Sequence, residues 1–350
     1  MKLLKICLCA TLASYAAAFC PTPTSLLATR IPAGGSNAFV KTSSLDAVAP
    51  AAAVTVASIA LPSAKHILAT TLLPTCLGYY RYEYGVSYGY GTATAATAYL
   101  ALRALQTSST SAFASIAQIH ALAIIFYGLR LNSFLLFREI CFERFKRMRE
   151  TIEDRQRKKE DGTGIIGKFL NRTPFILSCA MLYAGLASSP LISAKLIEMG
   201  AAPTCDKAIL MYKTLVGLTW FGFALGAIGD VTKSFVKGRK GPDYLVTGGV
   251  FSLFRHPNYT GEVIGWSSSF LSSVVAVLCT SGVKLSVLKT MAAPLGLAFV
   301  GALGIIFVLG AATTNLEKRQ KEKYGESKEY EDWVSSSWSG PKLAPTKKKD

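Results

Sequence analysis

Residues 226–266 read GAIGDVTKSFVKGRKGPDYLVTGGVFSLFRHPNYTGEVIGW, and this stretch decides how the rest of the chain is interpreted. It contains the end of one apolar segment, a polar stretch with several glycines, and the start of the next apolar segment. Asp230, Lys233 and Lys237 are spaced i, i+3 and i+7 where the first apolar segment ends, which places them on one face of a helix. This spacing predicts that the three side chains meet one ligand at a membrane surface.

Further polar side chains crowd the start of the second apolar segment: Arg255, His256, Asn258, Tyr259 and Glu262. Burying them beside an apolar helix is costly unless a partner satisfies their hydrogen bonds. A bound polar ligand is the economical explanation. The alternative is a capped loop that bonds to itself and to lipid headgroups.

The chemistry of these side chains favours a nucleotide. The Arg255 guanidinium has the planar geometry that suits a phosphate, and Lys237, Arg239 and Lys240 add charge for a further phosphate. Because this loop lies outside the apolar segments, we expect truncation of Arg255 to weaken ligand binding and to leave the fold intact.

The composition predicts an integral membrane protein. Hydrophobic residues make up 51% and charged residues 17% of the chain, and the mean hydropathy is +0.34, which is too apolar for an ordinary soluble protein. The net charge of +17 comes from Lys and Arg clustered between apolar segments, a pattern that indicates membrane orientation rather than nucleic-acid binding. The eight cysteines include no CxxC pair and the three histidines are far apart, so we expect neither a disulfide framework nor a metal site.

The apolar segments predict an all-α, polytopic membrane bundle of about six to eight transmembrane helices. The stretches of suitable length lie near residues 47–64, 66–80, 92–106, 111–137, 174–194, 208–229, 263–283 and 290–312. Two such stretches separate each basic cluster from the next, at residues 138–172, at residues 233–255 and after Asn315. The three clusters must therefore face one compartment, which the positive-inside tendency makes the cytosolic or stromal side. Acids intermixed at helical spacing predict a solvated helix within 138–172.

Both ends of the chain differ from its middle. Residues 1–45 combine a short apolar stretch ending in Ala16 and Ala18 with an acid-free, hydroxyl-rich stretch after Phe19. This pattern is typical of a signal peptide followed by a transit-like segment and predicts a complex plastid membrane, with the endoplasmic reticulum as the alternative. The predicted organisation is a presequence at 1–45, N-terminal spans at 46–110, a main membrane domain at 111–340 and a basic tail at 341–350.

Three further motifs give the chain a family resemblance. The run GGVFSLFRHPNYTGEVIGW (248–266), preceded by GDVTKSF (229–235), resembles the C-terminal domain of the steroid 5-alpha-reductase superfamily, in its branch with an RHPNY-x-GE signature. GLRLNSFLLFRE (128–139) looks like that branch's upstream span, and NLEKRQKEKYGESKEYEDW (315–333) looks like its closing stretch.

The resemblance implies an enzyme that uses NADPH to reduce a carbon-carbon double bond of a lipid. Matched by position, the implied cofactor-binding residues are Asp230, Arg255, His256, Asn258, Tyr259 and Glu262, with Glu317 and Arg319 from the C-terminal stretch and Lys233 and Lys237 as further candidates. A water-poor pocket suits hydride transfer.

The catalytic groups are harder to assign, because the steroid reductases use a Glu and a Tyr from N-terminal helices that have no clear match here. The local candidates are Tyr259 and Glu83, the latter within YYRYEYGVSYGYG (79–91). The alternative for Glu83 is a solvated acid that pairs with Arg81 in an interfacial aromatic belt. For His120, in an apolar span, we expect a hydrogen bond between helices.

Two other functions are open. Isoprenylcysteine carboxyl methyltransferases resemble the same region and bind S-adenosylmethionine, and a non-catalytic membrane scaffold would keep the fold without chemistry. A sterol, carotenoid, prenyl or fatty chain would suit the apolar bundle equally, so the expected partners are a lipid-soluble substrate and membrane lipids, with no nucleic acid. The sequence does not indicate an oligomeric state.

Overall fold

Helices follow the apolar stretches of the sequence closely: 85% of the described residues are helical and none of them forms a strand. The computed structural model describes residues 61–106, 111–162, 164–280 and 285–340, all of which belong to one compact unit. The helices are α1 Ala64–Thr75, α2 Leu77–Tyr80, α3 Tyr82–Val86, α4 Tyr88–Gln106, α5 Ala112–Cys141, α6 Glu143–Lys159, α7 Gly164–Leu186, α8 Ser188–Glu198, α9 Asp206–Lys240, α10 Pro257–Leu278, α11 Leu285–Tyr324 and α12 Lys328–Ser336, with a 3₁₀ turn at Gly249–Ser252.

The predicted all-α membrane bundle is confirmed. Helices α5, α9, α10 and α11 are each long and apolar enough to cross a membrane, and α7 with α8 forms a fifth candidate span that bends by 50° at its break. The stretch 66–80 is instead divided between α1 and α2, next to Pro74, and the stretch 92–106 forms part of the largely buried helix α4. The count of six to eight spans stays a prediction, because residues 1–60 lie outside the described part.

Glycines bring α9 and α10 into close contact. A Cβ added to Gly222 would lie 2.8 Å from the Cα of Gly265 and still closer to backbone atoms of Gly261 and Gly265. Small residues allow this approach between apolar helices. Further along α9, Gly229 lies against Pro257 and Asn258, so the contact fixes Asp230 beside the start of α10.

The C-terminal residues pack over the loop that precedes α10. The indole Nε1 of Trp333 donates to the Phe251 carbonyl at 2.6 Å, and the Arg255 and Trp338 amides donate to the Trp338 and Leu253 carbonyls at 2.8 and 2.9 Å. Side chains from the loop and from α12 form a small apolar core of their own. The loop and the C-terminal residues therefore form one cap at the end of the bundle.

Helix α6 is not solvated on all sides, which corrects the prediction for residues 138–172. Its Arg149 and Glu153 are buried. Arg172 of α7 donates to Glu153 at 3.0 Å and to Glu160 at 2.9 Å, and also to the Gly78 carbonyl at 3.1 Å. These buried bonds hold α6 against the bundle, a role that the alternation of charges in the sequence did not indicate.

Candidate functional site

The three basic clusters meet around one cavity at the capped end of the bundle. This cationic cavity has a volume of about 280 Å³ and takes its charge from Arg144 of α6, Lys233 and Lys237 of α9, and Arg319 and Lys323 of α11. Tyr244, Leu245 and Phe251 of the cap complete its wall, among others. The convergence agrees with the parity that the sequence predicts for the three clusters.

Positive charge in the cationic cavity is only partly balanced by the protein. Lys323 pairs with Asp243, which lowers the pKa of that carboxyl, and Lys237 donates to the Pro242 carbonyl at 2.8 Å. Among the described residues, no carboxylate forms an ion pair with Arg144, Lys233 or Arg319. An excess of unpaired cations in a concave site attracts an anionic ligand.

Asp230 and Glu262, both predicted as cofactor ligands, share one cation that the prediction omitted. Arg130 of α5 donates to Asp230 at 2.6 Å, and its Nη2 lies 4.0 Å from the Glu262 carboxylate. Its guanidinium also lies over the Tyr127 ring at 5.1 Å. An arginine within an apolar span was the signal that could have identified it, since such residues are functional candidates by default.

Deeper in the bundle, several polar atoms lie close to one another but make no well-formed hydrogen bond. The hydroxyls of Tyr90 and Tyr127, the indole Nε1 of Trp266 and Nη2 of Arg130 are buried without a hydrogen bond of good geometry. The rings are close together, with centroids 5.5 Å apart for Tyr90 and Tyr127 and 5.1 Å apart for Tyr127 and Trp266. We call these four residues, with Glu262, the buried polar centre.

Unpaired buried donors are informative because each costs about 1–3 kcal/mol. Native proteins satisfy nearly all such groups with protein, water or ligand. In the buried polar centre, Trp266 and Arg130 can only donate, whereas the two tyrosine hydroxyls can donate or accept. An oxygen atom of a ligand would therefore suit these donors as an acceptor. Sequence reasoning missed Tyr90, Tyr127 and Trp266, because aromatic residues in apolar segments usually only pack.

Arg255, His256 and Glu317 are brought together as predicted, but they bond to one another and to the cap. Arg255 Nε donates to Glu317 at 3.0 Å, and Nη1 donates to the carbonyls of Val334, at 2.9 Å, and Ser337. His256 Nε2 lies 2.6 Å from the same Glu317 oxygen. Burial lowers the pKa of His256, and the Glu317 carboxylate only partly offsets that effect. The Arg255 side chain thus joins the cap to α11.

Asn258 and Tyr259 lie at the start of α10 between these groups. Both side chains are half-buried, and the Tyr259 ring stacks on the His256 ring with centroids 6.3 Å apart. Arg138 is close enough to interact electrostatically with Asp230, Tyr259 and Glu83. It therefore lies between the predicted cofactor residues and the Glu83 region.

Glu83 belongs to a separate polar cluster, in which it forms an ion pair with Arg149 and not the alternative ion pair with Arg81. Its carboxylate lies 3.8 Å from Arg149 Nε, whereas Arg81 lies over the Tyr84 ring. Arg149 also pairs with Glu139 at 3.2 Å, which accepts hydrogen bonds from the hydroxyls of Tyr84 and Tyr88 at 2.5 and 2.7 Å. Burial raises the pKa of Glu83 above its usual range.

His120 makes the predicted bond between helices. Its Nε2 lies 2.9 Å from the Ser269 hydroxyl of α10, and both residues are buried. Among the described residues, no group of three or more His, Cys, Asp and Glu side chains is placed to hold a metal ion.

These features define an all-α bundle with membrane-type helices, in which a cationic cavity lies beside buried, paired charges. The chain belongs to the family described as "Protein of unknown function (DUF1295)", whose model matches residues 89–337. This family is steroid 5-alpha-reductase-like, which confirms the resemblance at the level of the family but not of the branch or the substrate. No curated protein and no solved structure matches the chain significantly.

Proposed function

We propose that the protein is a membrane-embedded reductase that uses NADPH to reduce a carbon-carbon double bond of a lipid-soluble substrate, of sterol or isoprenoid type. The cationic cavity is the observation that carries this proposal. Arg144, Lys233 and Arg319 are unpaired cations from three different helices around one concave site, and NADPH carries three phosphate groups.

The residues present fit the phosphate end of such a cofactor. The cavity of about 280 Å³ is at the lower limit of small-molecule sites, which span about 300–1,000 Å³. It would therefore hold the phosphates, while the remainder of the dinucleotide would extend toward Asn258 and Tyr259. Arg255 would act by fixing the cap that forms one wall, not by contacting a phosphate.

Bound NADPH supplies the hydride that reduction of a double bond needs. The protein would hold the substrate by donating hydrogen bonds from Tyr90, Tyr127 and Trp266 to one substrate oxygen, and the surrounding apolar bundle would exclude water. A proton must also reach the second carbon of the bond. Of the two candidate donors, Tyr259 is the one that lies beside a predicted cofactor residue, since its ring stacks on His256. Glu83 lies in its own cluster with Arg149.

The methyltransferase alternative fits the charge of the cavity less well. S-adenosylmethionine has no phosphate and carries a sulfonium cation, which the five cations of the cavity would repel. Ligand identity can therefore be tested directly.

The test is a titration of NADPH and of S-adenosylmethionine against the detergent-purified protein, followed by fluorescence. We expect NADPH to bind, and Lys233→Gln to weaken its affinity about ten- to a hundred-fold through loss of a charge-assisted bond. Lys213→Gln is the matched control, since Lys213 is an exposed lysine near the other end of the same helix. Thermal melting of each variant checks the fold.

Three results would contradict the proposal. Equal NADPH affinity of the wild type and Lys233→Gln would show that the phosphates do not bind in the cationic cavity. Binding of S-adenosylmethionine alone would favour a methyltransferase. Binding of neither ligand would favour a scaffold.

We also propose a complex plastid membrane as the location. The support is the sequence pattern of residues 1–45, which lie outside the described residues, as does the basic tail at 341–350. A fluorescent reporter fused to residues 1–45 should reach the plastid, and Phe19→Ala should stop it earlier in the route. Secretion of the reporter with the intact presequence would refute this location.

A further inference from the structure

Helix α6 separates its exposed charges into two lines. Met148, Arg155 and Lys159, at i, i+7 and i+11, lie along one side of the helix and are all exposed. This basic stripe contains no acid. The exposed acids Glu143, Glu150 and Asp154 follow a second line, at i, i+7 and i+11, away from the basic stripe.

The cations of the basic stripe are not used within the protein. Of the other exposed cations on α6, Lys146 and Arg147 pair with Glu143 and Arg157 pairs with Glu153. Arg144 lines the cationic cavity, and Lys158 lies outside the basic stripe. Arg155 and Lys159 form no ion pair with any described residue. The opposite face of the helix is fixed by buried Arg149 and Glu153, so the direction of the basic stripe is fixed as well.

Both ends of α6 lead directly into apolar helices with exposed side chains. Ile140 precedes α6 with 66% of its surface exposed, and Ile165 follows it with 89% exposed. Such side chains require hydrocarbon rather than water. The helix is therefore held between two points at the edge of the hydrocarbon layer, which is where lipid headgroups lie.

From this arrangement we propose that the basic stripe of α6 is a binding surface for anionic lipid headgroups. Basic residues at the membrane surface each gain about 1 kcal/mol from anionic lipid, and Met148 offers an apolar contact among them. The acid line faces away from the lipid, which distinguishes this surface from a helix that is merely positively charged. The proposal does not depend on the reductase activity.

Fluorescence quenching in vesicles can test this surface directly. The full-length protein, with Met148→Cys labelled by bimane and the native cysteines replaced by Ser, is reconstituted into phosphatidylcholine vesicles that contain phosphatidylglycerol. The nitroxide quencher is carried on the headgroup of either phosphatidylglycerol or phosphatidylcholine, at the same mole fraction. We expect stronger quenching from phosphatidylglycerol, since one cation enriches anionic lipid about five-fold.

Two double variants distinguish an effect of the basic stripe from an effect of net charge. Arg155→Gln with Lys159→Gln should make the two quenchers equally effective, whereas Arg147→Gln with Lys158→Gln removes the same charge outside the stripe and should preserve the difference. Equal quenching by both lipids in the protein with native charges would overturn the proposal. So would equal effects of the two double variants, and the absence of quenching by either lipid would show that α6 faces water or a protein partner.

Discussion

Arg255 contributes to the cap through three acceptors, the Glu317 carboxylate and the carbonyls of Val334 and Ser337. We predict that Arg255→Ala destabilises the protein by about 1.5–3 kcal/mol, because two carbonyls lose their donor and the half-buried Glu317 carboxylate keeps only His256. Thermal unfolding in detergent measures the effect, with Arg239→Ala, at an exposed arginine, as the control. An unchanged melting temperature for Arg255→Ala would contradict this structural role and favour the first interpretation of Arg255 as a phosphate ligand.

The sequence showed which residues gather at the site but not what each of them contacts. The spacing of Asp230 and the polar run from Arg255 to Glu262 placed these residues at the ends of two apolar helices, where the structure has them. It could not show that Arg255 is satisfied by carbonyls some 80 residues later. Such partners depend on tertiary packing, which local patterns do not encode.

At the scale of helices, buried ion pairs connect α6 to α7. We predict that Arg172→Met costs about 3–5 kcal/mol, because the buried carboxylates of Glu153 and Glu160 would lose the guanidinium that they share. Arg157→Met is the matched control: Arg157 also pairs with Glu153, at 3.6 Å, but its side chain is 65% exposed, so its loss should cost less than about 1 kcal/mol. Hydrogen exchange should show faster opening of α6 in Arg172→Met only. Equal exchange in both variants would exclude the proposed attachment of α6.

The same bonds predict how this attachment depends on pH. Burial alone raises the pKa of Glu153, but hydrogen bonds from the Tyr82 amide and Arg172 outweigh it and lower the pKa overall. A carboxyl whose pKa is lowered on folding stabilises the protein above its unfolded pKa and loses that contribution as pH falls. Acidification should therefore release α6, and Arg172→Met should reduce this sensitivity.

Helix pairing at α9 and α10 depends on the absence of a single methyl group. Gly222→Ala should destabilise the bundle by about 1–3 kcal/mol, since its Cβ would overlap backbone of Gly261 and Gly265. Gly217 lies in the same helix with nothing within 4 Å of an added Cβ, so Gly217→Ala should be neutral or stabilising by up to about 1 kcal/mol. Melting temperatures of the two variants give the comparison. Similar values would mean that the two helices do not pack through these glycines.

For the whole molecule, the bent pair of α7 and α8 decides how many times the described chain crosses the membrane. Helix α7 begins near the cationic cavity, because Arg172 bonds to Glu153 of α6 and Arg144 of α6 lines that cavity. Helix α9 ends there, and its 35 residues place Asp206 about 50 Å away. The seven residues between α8 and α9 can span only about 28 Å.

Helix α8 must therefore end at the opposite side of the bundle. Its Ile192 and Leu196 pack in one apolar cluster with Val277, near the end of α10, and Val287, near the start of α11, both at that side. A re-entrant loop would have returned α8 to the cavity side. On this geometry α7 and α8 together form one candidate span despite their 50° bend, which gives five candidate spans among the described residues.

Two native cysteines can test this crossing. Cys141 ends α5 on the cavity side and Cys205 precedes α9 on the opposite side, and both are exposed. In variants that keep only one of these cysteines, we expect a membrane-impermeant maleimide to reach Cys141 and Cys205 from opposite sides of sealed vesicles. Labelling of both cysteines from the same side would mean that α7 and α8 enter and leave the membrane on one side as a re-entrant loop, which would leave four candidate spans among the described residues.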